Sequence, residues 1–220
     1  MVETERVIDD VTFMGGHPAL DFVDTLGGMR AEHPEPEDEY LRSYEDLVTF
    51  GLKAGTLSER SARRLRRAAR EQPREADAVL EAARRRRGLL DAAFRPISQG
   101  KPPPASVLAE LRDFGAEAMA SGELVASEDG FEWSWERYEG LDMPLWPIAH
   151  AALELMAGGP LDRLKTRGRC RWLFLDTTKN HSRRWCSTEA CGNEVKKERY
   201  VARRRARRAR SSSVDRHTRA

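Results

Sequence analysis

The sequence predicts a mainly α protein in two parts. A helical N-terminal domain carries one β-hairpin, and a small C-terminal module is built from a second hairpin and a basic helix. Three observations carry this expectation. Apolar residues recur at helical spacing through most of the first 160 residues. A period-two stretch interrupts that spacing near residue 130. All three cysteines fall between Cys170 and Cys191, directly ahead of a dense arginine run.

The charge follows the same division. The net charge of +2 hides 19 Lys and Arg against 6 Asp and Glu in residues 161–220, a balance of +13. The other 160 residues hold 19 basic and 30 acidic side chains, a balance of −11. Such asymmetry points to two modules with different partners. Arginine is also abundant elsewhere, as in Arg84–Arg87, but that abundance does not explain why acidic residues thin out after Arg163.

Taken in order, Gly15-Gly16 marks a turn, and Pro18 suits the first turn of a helix that Gly27-Gly28 would end. Residues 30–41 are polar, contain two prolines and read as a loop. Ser43, with Asp46 three residues on, caps a helix to about Lys53. Ser58 caps another to about Glu71, which Pro73 breaks. Residues 74–98 show apolar positions at a 3.6 period, stopped by Gly100 and Pro102-Pro103-Pro104. Ala105 to Met119 is again amphipathic. Leu124, Ala126, Phe131, Trp133 and Trp135 then alternate around Asp129-Gly130, a hairpin signal. A last apolar helix, about Trp146 to Met156, closes at Gly158-Gly159-Pro160. These signals divide the chain into a mainly helical domain at 1–160, a cysteine-bearing module with its basic helix at 161–210, and a disordered tail at 211–220.

No apolar run reaches the roughly 20 residues needed to span a bilayer. Met1 to Asp10 is acidic and lacks the apolar core of a secretory signal. An odd number of clustered cysteines suits metal chemistry in a reducing compartment better than a disulfide framework. A cytoplasmic protein is therefore expected. The N-terminal domain assembles no catalytic set, so no enzyme is expected. His150 sits between two alanines in an apolar helix and reads as a packed histidine. His17, Asp21 and Asp24 form the one carboxylate–histidine cluster, as a ligand-sensing site or simply as helix entry and capping.

The cysteines carry more. Thiolates are soft ligands suited to Zn2+, which in structural sites takes four ligands in a tetrahedron. Cys170 precedes a strand-like run, Trp172-Leu173-Phe174-Leu175. A polar turn returns through Arg183-Arg184-Trp185 to Cys186, and Cys191 follows. Asn193 can then cap the basic helix, whose positive end favours thiolates. Ligand, hairpin, paired cysteines and helix form a treble-clef-like order.

Three segments carry a family resemblance. They are Cys170-Arg171-Trp172-Leu173-Phe174-Leu175-Asp176, Asn180-His181-Ser182-Arg183-Arg184-Trp185-Cys186-Ser187, and Cys191-Gly192-Asn193 with Lys196 after it. They resemble the CGNR zinc finger family of bacterial transcription regulators. Ala19-Leu20-Asp21-Phe22-Val23-Asp24-Thr25 resembles the opening motif of the ABATE domain that many of those proteins carry. That domain is associated with stress-induced regulation, and more often has Asn where Asp24 stands. The resemblance implies Zn2+ as cofactor, DNA at promoter regions as partner, and a role in a stress response.

Two departures stand out. Glu194 replaces the arginine of the family motif, and Lys165 to Arg169 lacks the cysteine usual before the one matching Cys170. The metal set is then Cys170, Cys186 and Cys191 with His181 as candidate fourth ligand. Water, a group from another chain, or a metal-free finger held by Trp172, Phe174 and Trp185 are the alternatives.

If helical, residues 193–210 span about 27 Å. Lys196, Arg199, Arg203, Arg207 and Arg210 fall on one stripe, with small residues on another. Lys196, Lys197, Arg199, Arg203, Arg204 and Arg207, with Arg183 and Arg184, are the candidate DNA contacts. The expected function is a DNA-binding transcription regulator whose N-terminal domain senses a signal or dimerises. A homodimer and a small-molecule effector are compatible with it. The rival readings are an RNA-binding, ribosome-associated module and a thiol-based redox or metal sensor.

Overall fold

Local caps decide where the first long helices begin. The structure, a computed structural model, describes residues 8–27, 38–128, 130–167, 170–180 and 182. Helix α2, Tyr44–Lys53, starts from a reciprocal capping box in which Ser43 and Asp46 satisfy each other's backbone N–H groups. Helix α3, Glu59–Glu71, starts where Ser58 accepts a hydrogen bond from Ser61 N. Helix α4, Pro73–Ser98, opens on a proline and extends about 39 Å. Its second proline, Pro96, falls in the last turn and donates no hydrogen bond back along the helix. Helices α5, Ala105–Ser121, and α6, Leu145–Gly158, pack against each other. The protein is thus mainly helical with small antiparallel hairpins, as the sequence predicts.

Helix α1 is shorter than expected. It runs only from Pro18 to Val23. Leu26 leaves the helix to form an antiparallel bridge with Glu39, and Gly27 N donates to Asp38 O at 2.7 Å. Pairing with a segment read as loop takes the backbone groups that a longer helix would have used. That segment is also anchored, since Leu41 is fully buried.

The core runs through α1, α2, α4, α5 and α6. Phe22, Phe50, Phe94 and Phe114 are wholly inaccessible to solvent. Phe50 receives Phe22 edge-on at 5.3 Å and Phe13 at 5.1 Å. Strands β1, Glu123–Ser127, and β2, Gly130–Ser134, pair Leu124 with Trp133 and Ala126 with Phe131. The alternation thus gives the register correctly, but it does not mark a buried face throughout: Phe131 is 79% exposed. Trp135 lies just past β2 and is buried, its Nε1 donating to Ala118 O at 2.8 Å. His150 packs against Trp135 and Trp133 with ring centroids 5.6 and 6.3 Å away, as a packed histidine should.

One buried ion pair was not legible. Arg87 of α4 is nearly inaccessible and grips Glu39 with both guanidinium nitrogens, at 2.6 and 2.5 Å. It also donates to Thr25 Oγ1 at 3.1 Å. The pair staples the end of α1 and the segment after it to α4. Removing one partner of a buried pair leaves an uncompensated charge. Glu39→Ala is therefore expected to destabilise the domain by about 3 kcal/mol, read as a lower urea midpoint.

Candidate metal and nucleic-acid site

A 3-10 turn at Leu161–Arg163 leads into β3, Leu164–Arg167, which pairs antiparallel with β4, Cys170–Leu175. The register shifts between Thr166, paired with Leu173, and Arg167, paired with Cys170, so the irregularity in β4 falls between Cys170 and Leu173. Leu173, Phe174 and Leu175 are buried. The chain divides after Arg183, and every described residue lies on the N-terminal side of that division.

The outer edge of β4 is covered. Leu173 and Leu175 are alternate residues, so their N–H groups face one edge, away from β3. Leu173 N donates to Asp24 Oδ1 at 2.9 Å, and Leu175 N donates to Gly15 O at 2.9 Å. Gly15 N in turn donates to Asp21 Oδ1 at 2.8 Å. The close approach at this turn has no room for a side chain: a Cβ on Gly15 would lie 2.8 Å from Leu20 Cβ. Gly16, at φ 73°, needs glycine for its backbone conformation as well.

The far end of β4 is tied by Asp176. Its side chain is wholly buried, accepts from Lys165 Nζ at 2.5 Å, and accepts from Thr178 N and Oγ1 at 3.0 and 2.6 Å. Its backbone N donates to Arg163 O at 2.9 Å. Thr178 Oγ1 then accepts from Ser182 N at 3.0 Å. At the near end, α4 supplies Asp91 and Arg95. Arg95 donates to Arg171 O at 2.8 Å and to Thr166 Oγ1 at 3.3 Å, and Arg171 donates to Asp91 Oδ2 at 3.0 Å. Sequence reasoning missed Asp91, Arg95, Lys165 and Asp176 as supports of this strand. Only Asp176 carried a signal, as the last residue of the motif that begins at Cys170.

The three residues of the proposed sensing cluster each accept a backbone hydrogen bond. His17 is the N-cap of α1, its Nδ1 accepting from Ala19 N at 3.3 Å. Burial lowers its pKa, and nearby Glu154 partly offsets this. Asp21 and Asp24 are both buried and both accept the backbone bonds just described. Burial pushes Asp21 up to about 6, although backbone N–H groups of Gly15 and Met14 pull it down.

Of the candidate metal ligands, Cys170 stands at the start of β4. Cys186, Cys191 and His181 lie outside the described residues, as do Arg183, Arg184, Lys196, Lys197, Arg199, Arg203, Arg204 and Arg207. The treble-clef arrangement, the basic helix at 193–210 and the tail at 211–220 lie outside them too. Among the described residues no cluster of three His, Cys, Asp or Glu side chains could hold a metal. The donor set still fits zinc in chemistry, with three soft thiolates and one imidazole available. The buried Trp172 Nε1 has no hydrogen-bond partner among the described residues.

The described residues thus form a helical domain packed against a two-stranded hairpin, β3–β4, whose second strand begins at Cys170. Comparison with family models agrees. Residues 16–159 match the ABATE family, whose description reads "Putative stress-induced transcription regulator", and residues 166–204 match the CGNR zinc finger. The chain belongs to the ABATE family and carries a CGNR zinc finger at its C-terminal side. A search of curated proteins finds no significant match. No helix among the described residues is long and apolar enough to cross a membrane.

The Asp21 carboxyl makes a pH prediction. A carboxyl raised from 3.8 to about 6 on folding binds more protons folded than unfolded between those values. Its contribution therefore falls as pH rises from about 4 to about 6, by about 3 kcal/mol in all. Asp21→Asn removes this term. Measured by urea unfolding, wild type should lose stability relative to Asp21→Asn across that window and run parallel to it above pH 7.

Proposed function

We propose that the protein is a non-enzymatic, DNA-binding transcription regulator of the cytoplasm, with a zinc-dependent finger as its DNA-binding part. The observation that carries this reading is the coincidence of three features. The CGNR match spans residues 166–204, all three cysteines fall inside it, and nine Lys and Arg lie between Lys196 and Arg210. A metal gives a fold to a segment too small to build a core of its own, and the basic run supplies the charge that phosphates require. The match to a family of stress-induced transcription regulators supports the regulatory part.

In this reading Cys170, Cys186, Cys191 and His181 hold Zn2+, which when bound organises the finger. Lys196, Lys197, Arg199, Arg203, Arg204 and Arg207, with Arg183 and Arg184, meet phosphates and base edges of duplex DNA. Arg is suited to guanine because its two parallel N–H groups match O6 and N7. The helical domain receives the signal, from an effector or through dimerisation.

Binding of labelled duplex promoter DNA, followed by anisotropy across salt concentrations, tests this reading. Wild type should show a log–log salt slope of about −5 or steeper, as expected for about six phosphate contacts. Replacing Arg203, Arg204 and Arg207 with Gln should reduce that slope by about three. Cys186→Ser with Cys191→Ser should abolish binding. Binding without salt dependence, or undiminished binding by the cysteine variant, contradicts the mechanism. Tighter binding to single-stranded RNA than to duplex DNA moves the finger to RNA.

A further inference from the structure

Cys170 opens β4, and the residues behind it on that strand are held by the helical domain. Arg95 of α4 donates to the carbonyl of Arg171, the residue next to Cys170, and to Thr166 on the opposing strand. Asp91, one turn earlier on α4, pairs with both Arg95 and Arg171. These three side chains are only 19–23% exposed, so the network is not an ordinary solvated surface pair. From the other side Asp24 takes Leu173 N–H, and Gly15 takes Leu175 N–H. Asp24 is 6% exposed, so its bond to the strand is shielded from water.

A self-contained metal finger needs none of this, because its metal organises the strands without help. Here the edge of the cysteine-bearing strand is completed by α1, and its backbone beside the cysteine is fixed by α4. We propose that Asp24 and Arg95 are positioning residues for the metal ligand Cys170, so that metal binding and the folding of the helical domain form one linked equilibrium. The inference rests on the reading of Cys170 as a metal ligand.

Linkage works in both directions. Metal bound at Cys170 stabilises the helical domain through β4. Conversely, anything that draws α1 or α4 away from β4 weakens the hold on the metal, and with it the finger. The helical domain thereby has a direct route to the finger that needs no change in the finger's own sequence.

The test uses the full chain and two readouts: Co2+ titration by its thiolate absorption, and the helical melting temperature by circular dichroism with and without Zn2+. In wild type, Zn2+ at about a hundredfold above its Kd should raise helical melting by about 5–10 °C. Arg95→Met should weaken Co2+ binding about tenfold and roughly halve the Zn2+-induced shift at the same Zn2+ concentration. Asp24→Ala should weaken Co2+ binding at least tenfold, whereas Asp24→Asn, which keeps a carbonyl oxygen for Leu173 N–H, should stay within about threefold of wild type. Arg95 is less buried than Asp24, so its variant carries the test if Asp24→Ala does not fold. A wild-type helical melt unmoved by Zn2+ despite normal Co2+ binding overturns the linkage. So does unchanged Co2+ affinity in Arg95→Met. No thiolate absorption in wild type overturns the metal reading and the linkage together.

Discussion

An edge strand must have its outward N–H groups satisfied, and in this protein that requirement falls on β4. A strand that ended a two-stranded hairpin in open solvent would present a row of unpaired groups. Asp24 and Gly15 take those of Leu173 and Leu175, which places α1 against the strand that starts at Cys170. Several other features follow from this contact. Asp21 holds the Gly15-Gly16 turn, so that Gly15 O meets the strand. The Arg87–Glu39 pair then fixes the end of α1 to α4, so the acceptor at Asp24 rests on the longest helix of the domain.

The same contact gives physical meaning to the family motif at Ala19–Thr25. Its apolar residues Leu20, Phe22 and Val23 are buried in the core, while its acids are turned to backbone donors. A buried carboxylate costs free energy unless it is hydrogen-bonded, and Asp21 records that cost in its raised pKa. The cluster His17, Asp21 and Asp24 reads from the sequence as a ligand site or as helix entry and capping, and in the structure these side chains take part in helix entry and the seating of β4.

Legibility in the sequence followed the range of the interactions. Helices α2 and α3 were readable to the residue at their starts because Ser43 with Asp46, and Ser58, act within one turn. The hairpin at 123–134 was readable because its register is local. The end of α1 was not, since it depends on Leu26 pairing with Glu39 across a loop. Strand β3 was not, because Leu164-Lys165-Thr166-Arg167 has no strand pattern of its own and takes its form from β4. Asp24 and Leu173 are 149 residues apart, and no local rule connects them. For the site, the cysteine spacing and the residues around it made the CGNR finger readable as a family match. The supports of Cys170 from α1 and α4 became visible only with the fold.

The central functional claim is that the chain works on nucleic acid, with the basic segment after Cys191 as the contact. It is tested most directly by crosslinking the tagged full-length protein in its own cells and sequencing the attached DNA and RNA together. Discrete DNA peaks near promoters are expected, lost when Cys186 and Cys191 are replaced by Ser. Enrichment of RNA without DNA peaks, or of neither, would contradict it.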